Sequence, residues 1–427
     1  MLRWIYSELS SAAPKDGVMR RILLIRRTID PVLLSAALAC FPVKLGLESV
    51  LLGFFIVSGT YLILCRHRTV RLIDPWYATA SLSYAAVAVV IGLYHGDFAA
   101  NIRWIGLPTY FALGIPLFTG FVLIRNPLRQ MVIGARVGLL LTLGMALFES
   151  FAGQSRIGLG GNAANAAFVI CVMAVLARFS VPKPPRYIPN SHAWFYFAII
   201  PVLMTGTRSV LPIFGLAAFF DLVKYRSELF AKVKRLGPSR LAVSCLAALM
   251  VIGFIAYGTS GIITRRIQYT VLEFDNLSAS AHPKITGLDI RINLWKGAIQ
   301  IVRDHPLVGV GGRESMRQIK EGIPLAQRKL YRGFVHVHFF ALDEMRDRGL
   351  IGLFFLLGLF LVIFRHIVKT SDYETRVNIL IFACLLLLYG SLHGLLLGDR
   401  NIAAIILMFT GVISTQRRGK RLSQTPK

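Results

Sequence analysis

The chain has 427 residues, of which 55% are hydrophobic and only 16% charged. Soluble domains carry about 25% charged residues, so this composition excludes a soluble globular enzyme, a disordered chain and a collagen-like one. The net charge is +27, from 48 Lys+Arg against 21 Asp+Glu. In a soluble protein such an excess would suggest nucleic acid; here it first reflects basic residues gathered in cytoplasmic loops, and no nucleic-acid partner is expected.

Apolar runs fall near 31–46, 47–65, 76–94, 104–124, 131–151, 163–179, 194–206, 209–223, 241–260, 349–364, 378–393 and 400–414. Most approach the roughly 20 residues that a spanning helix needs and some are short enough to be broken or tilted, which predicts an all-α polytopic membrane protein with about twelve transmembrane helices. Outer-membrane barrel strands would be shorter and would alternate. The short pair 194–206 and 209–223 fits either two spans or one re-entrant hairpin. The five cysteines, Cys40, Cys65, Cys171, Cys245 and Cys384, lie in or beside apolar runs without a CxxC, so neither disulfides nor a zinc site is expected. The first apolar run lacks a small-residue cleavage site and reads as a retained helix.

Alternate turns are basic. Arg20, Arg21, Arg26 and Arg27 open the series, and Arg66, Arg125, Arg136, Arg178, Lys183, Lys224, Lys234 and Arg365 continue it to the tail at Arg417. The pattern places both termini in the cytoplasm. It divides the chain into an N-terminal transmembrane bundle (1–260), a hydrophilic helical segment on the non-cytoplasmic side (261–348), and C-terminal transmembrane helices with a basic tail (349–427). The middle segment is also rich in Lys and Arg, against the topology signal, and reads as an anion site facing the outer leaflet. Within it, residues 289–304 place Leu294, Ala298, Ile301 and Val302 on one helical face, with Arg291 and Trp295 as i,i+4 neighbours. The stretch HPLVGVGG (305–312) ends that helix in a flexible turn. A second helix is expected to begin near His336, with His338, Leu342 and Met345 on one face and Gly349 opening the next span.

There is no P-loop, GxGxxG, GxSxG, HExxH or DxD, so no nucleotide or metal cofactor is expected. The candidate binding groups are arginines where membrane proteins rarely spend them: Arg208 in TGTRSV, Arg265–Arg266 at the exit of the ninth span, and Arg291. Guanidinium forks match phosphate oxygens and stay charged, which suits a diphosphate clamp. His338, in the membrane-proximal run VHVHFFAL, is the best candidate base. Its neighbour His336 would point elsewhere on a helix. Trp295, Arg313, Asp399 and Arg400 are secondary candidates, the last two as a local pair opening the final span. GLGGNAANAA (158–167) reads as close helix packing through small residues, or as a surface offering Asn162 and Asn165.

TGTRS, then Arg291-x3-Trp295 leading into HPLVGVGG, then His338 with Gly349 eleven residues on and GLIG after it, together resemble the O-antigen ligase/polymerase family. That family includes O-antigen ligases, O-antigen polymerases and pilin oligosaccharyltransferases. The family histidine is often followed by Asn, where this chain has Phe339. The resemblance implies a C-type glycosyltransferase fold in the bacterial inner membrane, with one large periplasmic loop and the active site facing the periplasm. It implies an undecaprenyl-diphosphate-linked O-antigen as donor and lipid A–core as acceptor. His338 would activate the acceptor hydroxyl, while Arg208, Arg291 and Arg265 or Arg266 neutralise the diphosphate. The single large basic loop favours the ligase over the polymerase, which often shows two. A lipid-linked glycan transporter would share the outward arginines but would need inverted repeats, and none is visible.

Overall fold

The computed structural model describes residues 17–65, 73–97, 103–154, 156–235 and 287–423, together with residues 246, 253, 268 and 271. The helices in chain order are α1 Gly17–Cys40, α2 Leu47–Cys65, α3 Pro75–Tyr94, α4 Arg103–Thr109, α5 Gly114–Gly120, α6 Pro127–Phe151, α7 Ala163–Arg178, α8 Ala193–Phe197, α9 Ile199–Thr205 and α10 Pro212–Arg235. They continue with α11 Gly287–Asp304, α12 Gly312–Glu321, α13 Arg328–Tyr331, α14 Phe340–Thr370, α15 Tyr373–Gly390 and α16 Asp399–Ser423. No strand occurs among the described residues. Five of the helices, α2, α3, α6, α14 and α15, are long and apolar enough to cross a membrane. The ninth apolar run, 241–260, lies almost wholly outside the described residues, as do Arg265 and Arg266.

Local chemistry sets several helix starts. Asp74 accepts from the Tyr77 N–H and Asn126 from the Arg129 N–H, each followed by a proline at the first helical position. Asn162 and Asp372 cap α7 and α15 in the same way. The bundle is organised around α7. Every residue from Ala166 to Arg178 is buried, and α6, α8, α9, α15 and α16 pack around it. A helix apolar on all sides belongs at the centre of such a bundle. α2 and α5 approach backbone to backbone, because a Cβ at Gly59 would lie 1.8 Å from the Pro116 carbonyl oxygen and one at Gly120 would lie 2.2 Å from that of Phe55.

The structure revises four expectations. The fourth apolar run is broken: α4, a 3₁₀ turn at Tyr110–Leu113 and α5 replace one span, with Pro108 and Pro116 inside it. The run 194–206 is two short helices that end at Gly206, in the left-handed region at φ +69°. The second helix of the hydrophilic segment begins at Phe340, not near His336, so His338 stands outside it. Finally, two residues counted as cytoplasmic loop cations are buried pins. Arg136 donates to the carbonyls of Ala177 (3.0 Å) and Phe179 (2.8 Å) and to Asn190 Oδ1 (3.2 Å). Arg178 binds Asp221 and Asn378.

The segment 287–339 has a small core of its own, in which Leu294, Ala298 and Ile301 of α11 pack with Met316, Ile319, Tyr331 and Val337. This is the apolar face read from the sequence; Val302, expected on it, is only partly buried. The HPLVGVGG turn docks on the break in α14 at Gly349, where φ is +66°. Four backbone hydrogen bonds make the joint: Val310 N–H to Arg346 O (3.0 Å), Gly311 N–H to Asp347 O (3.1 Å), Leu350 N–H to Pro306 O (2.8 Å) and Ile351 N–H to Leu307 O (3.2 Å).

Candidate active site

Three histidines from two distant segments line one cavity of about 260 Å³. His336 and His338 come from the stretch before α14, and His393 from the turn between α15 and α16. Asn162, Asn165, Leu107, Tyr389 and Leu397 complete much of the wall.

The stretch carrying His336 and His338 is clamped. Trp295 Nε1 donates to the Val337 carbonyl at 2.7 Å. The Val337 N–H donates to Asp343 Oδ1 at 2.9 Å. Asp343 in turn accepts from Arg346 at 3.1 Å, and Arg346 is fully buried and donates to Ser315 Oγ at 2.6 Å. Held this way, His338 adopts φ +60°, a conformation uncommon for any residue but glycine. The turn brings the two rings together: their centroids are 4.1 Å apart at 75°. His336 Nδ1 accepts the His338 N–H at 3.2 Å, which puts the proton of a neutral His336 ring on Nε2. His336 therefore shares the cavity with His338 rather than facing elsewhere.

His338 Nδ1 is buried without a hydrogen-bond partner, leaving Nε2 as the nitrogen that can meet an acceptor. Burial, reinforced by His336 and by the Arg291 guanidinium, holds the His338 imidazole down at about 3. Burial and the charges of Arg346, His393 and Arg291 hold His336 at about 4. His393 is held at about 4 by burial and by Arg291, His338 and Arg156. All three rings are thus neutral at neutral pH, with Arg291 acting on each of them.

Of the predicted binding residues, Arg291 is partly buried on α11 and acts electrostatically on all three histidines. Arg208 is exposed, next in sequence to Ser209, whose hydroxyl lies 3.1 Å from His393 Nε2. The structure does not bring Arg313, Asp399 or Arg400 into this cavity. Arg313 is exposed at the start of α12, beside the point where Asp97 accepts the Gly312 N–H at 3.1 Å. Asp399 and Arg400 line a second cavity. Trp295 positions the histidine stretch from behind.

Sequence reasoning missed His393, Tyr389 and Arg156, and left Asn165 as one of two alternatives. Tyr389 stacks on His393 with centroids 4.8 Å apart and donates its hydroxyl to Asn165 Oδ1 at 2.7 Å. Asn165 stands on α7, just past a loop whose N–H groups at Gly158, Leu159 and Gly160 are gathered by the buried Glu149 carboxylate. A histidine in the turn SLHG, in the connection that leads into the Asp399–Arg400 pair, was the available signal.

Comparison with known families bears on the segment that supplies Val335, His336 and His338 to this cavity. Residues 193–357 match the family model for O-antigen ligase. This segment is an O-antigen ligase family domain. It spans Arg208, Arg291, Trp295, His338 and Gly349, residues on which the resemblance rested, and His336 as well. His393, Asn162 and Asn165 come from outside it. No curated protein matches the chain. Among the described residues, no group of three or more His, Cys, Asp and Glu side chains is arranged to hold a metal ion. The matched segment thus sits in a chain with five helices, among the described residues, that are long and apolar enough to cross a membrane.

Proposed function

We propose that the protein is an O-antigen ligase of the bacterial inner membrane. It moves a glycan from undecaprenyl diphosphate to a sugar hydroxyl of lipid A–core at the periplasmic face. The observation that carries this reading is a cavity lined by three neutral imidazoles, on each of which the Arg291 charge acts. His338 accepts the proton of the acceptor hydroxyl as its oxygen bonds to the anomeric carbon. The sugar–phosphate bond breaks, and the leaving diphosphate takes the electron pair. Arg291, Arg208 and one of Arg265 or Arg266 neutralise that charge in the role a metal ion plays elsewhere. Attack opposite the diphosphate inverts the anomeric centre, and cleavage of the sugar–diphosphate bond drives transfer without ATP.

The emptied charge balance of the cavity gives the donor a second role. A diphosphate seated beside Arg291 offsets the cationic field on His338 and raises its proton affinity. The base thereby gains strength when the donor is in place, and stays a poor proton acceptor without it.

The test is transfer by purified protein from lipid-linked glycan to rough lipopolysaccharide, with His338→Ala alongside. A general base contributes about 10²–10⁴-fold in rate, so the variant should lose transfer by that factor while binding donor like the wild type. Wild-type rates in His338→Ala would refute the assignment. Glycan chain extension with no transfer to lipid A–core would identify a polymerase instead.

A further inference from the structure

A second cavity, of about 350 Å³, lies beside the histidine site and has a charged end and an apolar end. Glu48, in the first turn of α2, and Asp399 and Arg400, in the first turn of α16, line it. Ile56 on α2 and Leu407 on α16 line it too. At 1.5 Å per residue these lie about 12 Å and about 10 Å further along their helices. The two helices therefore start at one end of the cavity and carry its apolar walls away from that end, the shape of an amphiphile lying along the bundle.

The charged end is unsatisfied. Glu48 is only 3% exposed, and its Oε2 is buried with no hydrogen-bond partner. Arg400 uses Nη2 on the Phe41 carbonyl, but its Nε is also buried without a partner. A buried carboxylate oxygen and a buried guanidinium N–H left open are each costly. Their complement is one ligand carrying both an N–H cation and an anionic oxygen. Two carboxylates against one guanidinium disfavour an anionic lipid. We infer that this cavity binds a phospholipid with an ethanolamine headgroup, its ammonium on Glu48 and Asp399, its phosphate on Arg400, and an acyl chain between α2 and α16.

Gly53 supplies a clean probe. It lines the cavity, and a Cβ there would meet nothing within 4 Å, so Gly53→Leu fills the cavity from a helical position that favours leucine over glycine. The protein is reconstituted with equal phosphatidylethanolamine, phosphatidylcholine and phosphatidylglycerol, repurified, and its retained lipid is extracted and quantified by mass spectrometry. The wild type should retain phosphatidylethanolamine over phosphatidylcholine, which has no N–H to donate, by about tenfold or more, and over phosphatidylglycerol. Gly53→Leu should lose that retained lipid. Glu48→Gln should retain phosphatidylethanolamine and phosphatidylcholine about equally. Equal retention of the two by the wild type, preference for phosphatidylglycerol, undiminished retention by Gly53→Leu, or an undiminished preference in Glu48→Gln would each overturn the inference. The readout is lipid content, so it stands apart from the outcome of the transfer assay.

Discussion

Gly349 joins the membrane helix to the segment that carries the histidines, and replacing it by alanine tests whether that joint holds the site. Its backbone sits at φ +66°, ψ −167°, a region that only glycine visits readily and that costs other residues about 1–3 kcal/mol. A Cβ there would lie 2.1 Å from the Leu307 carbonyl oxygen and 2.4 Å from the Val308 nitrogen. Both are backbone atoms, so the HPLVGVGG turn must move away. Moving it breaks the Leu350–Pro306 and Ile351–Leu307 hydrogen bonds, worth about 0.5–1.5 kcal/mol each. The expected loss is about 2–6 kcal/mol at this joint. Gly358→Ala in the same helix is the matched control, since a Cβ there meets nothing within 4 Å and alanine is favoured by about 0.5–1 kcal/mol in a helix interior. Denaturant unfolding in detergent, with limited proteolysis at the turn, reads both variants. Gly349→Ala should be destabilised and cut within 305–312, whereas Gly358→Ala should match or exceed the wild type. If Gly349→Ala is as stable and as resistant as Gly358→Ala, the joint is not what holds the histidine stretch.

Four further outcomes are expected. Arg291→Ala and Arg208→Ala should each weaken donor binding, measured directly, by about 10–100-fold through lost charge-assisted bonds, and Lys should restore only part because it keeps charge but not the fork. Between pH 8 and 5, kcat/KM should stay level, because the free protein's cavity histidines are held at about 3 to 4; an acid limb near 6.5 would contradict their burial. Transfer should persist in EDTA, and loss restored by magnesium or manganese would contradict a diphosphate held by arginines. A cysteine at Lys320 should react with impermeant maleimide in intact spheroplasts; reaction only after lysis would invert the topology.

The sequence made much of the architecture legible and rather less of the site. Long apolar runs set most of the helices, and the amphipathic period of 289–304 located α11 to within two residues. The start of α14 was harder to see. Its N-cap is Phe339, with no side-chain cap, so none of the usual Ser, Thr, Asp or Asn signals marks the boundary. A helical period read through it put His336 and His338 on different faces. The break in the fourth run did have a signal in Pro108 and Pro116, but hydropathy outweighed it. His393 could not be reached by local pattern, because its distance from His338 in sequence is bridged only by helix packing around α7. Arg136 and Arg178 counted as loop charges for the same reason: hydropathy does not distinguish a solvated guanidinium from one buried against carbonyls or Asp221.

These features bear on why a transferase of this kind would place its base among cations. A histidine near its ordinary proton affinity would be partly charged at neutral pH and would then repel Arg291. Buried and within reach of that arginine's charge, His338 stays neutral and adds no positive charge of its own to the site. The arrangement has a direction. In the proposed reaction, seating a diphosphate would neutralise the arginine field first, and only then would the imidazole become a competent acceptor for a hydroxyl proton. Acceptor activation would therefore follow donor binding, which limits proton abstraction from water in the empty cavity. Arg291→Ala separates this from simple anion binding. With donor saturating, the rate should fall, yet the acid limb of kcat/KM should move to higher pH, because removing the cation relieves one of the influences that hold His338 down. A limb that stays where it was would mean that burial alone sets the histidine and that donor binding does not tune it.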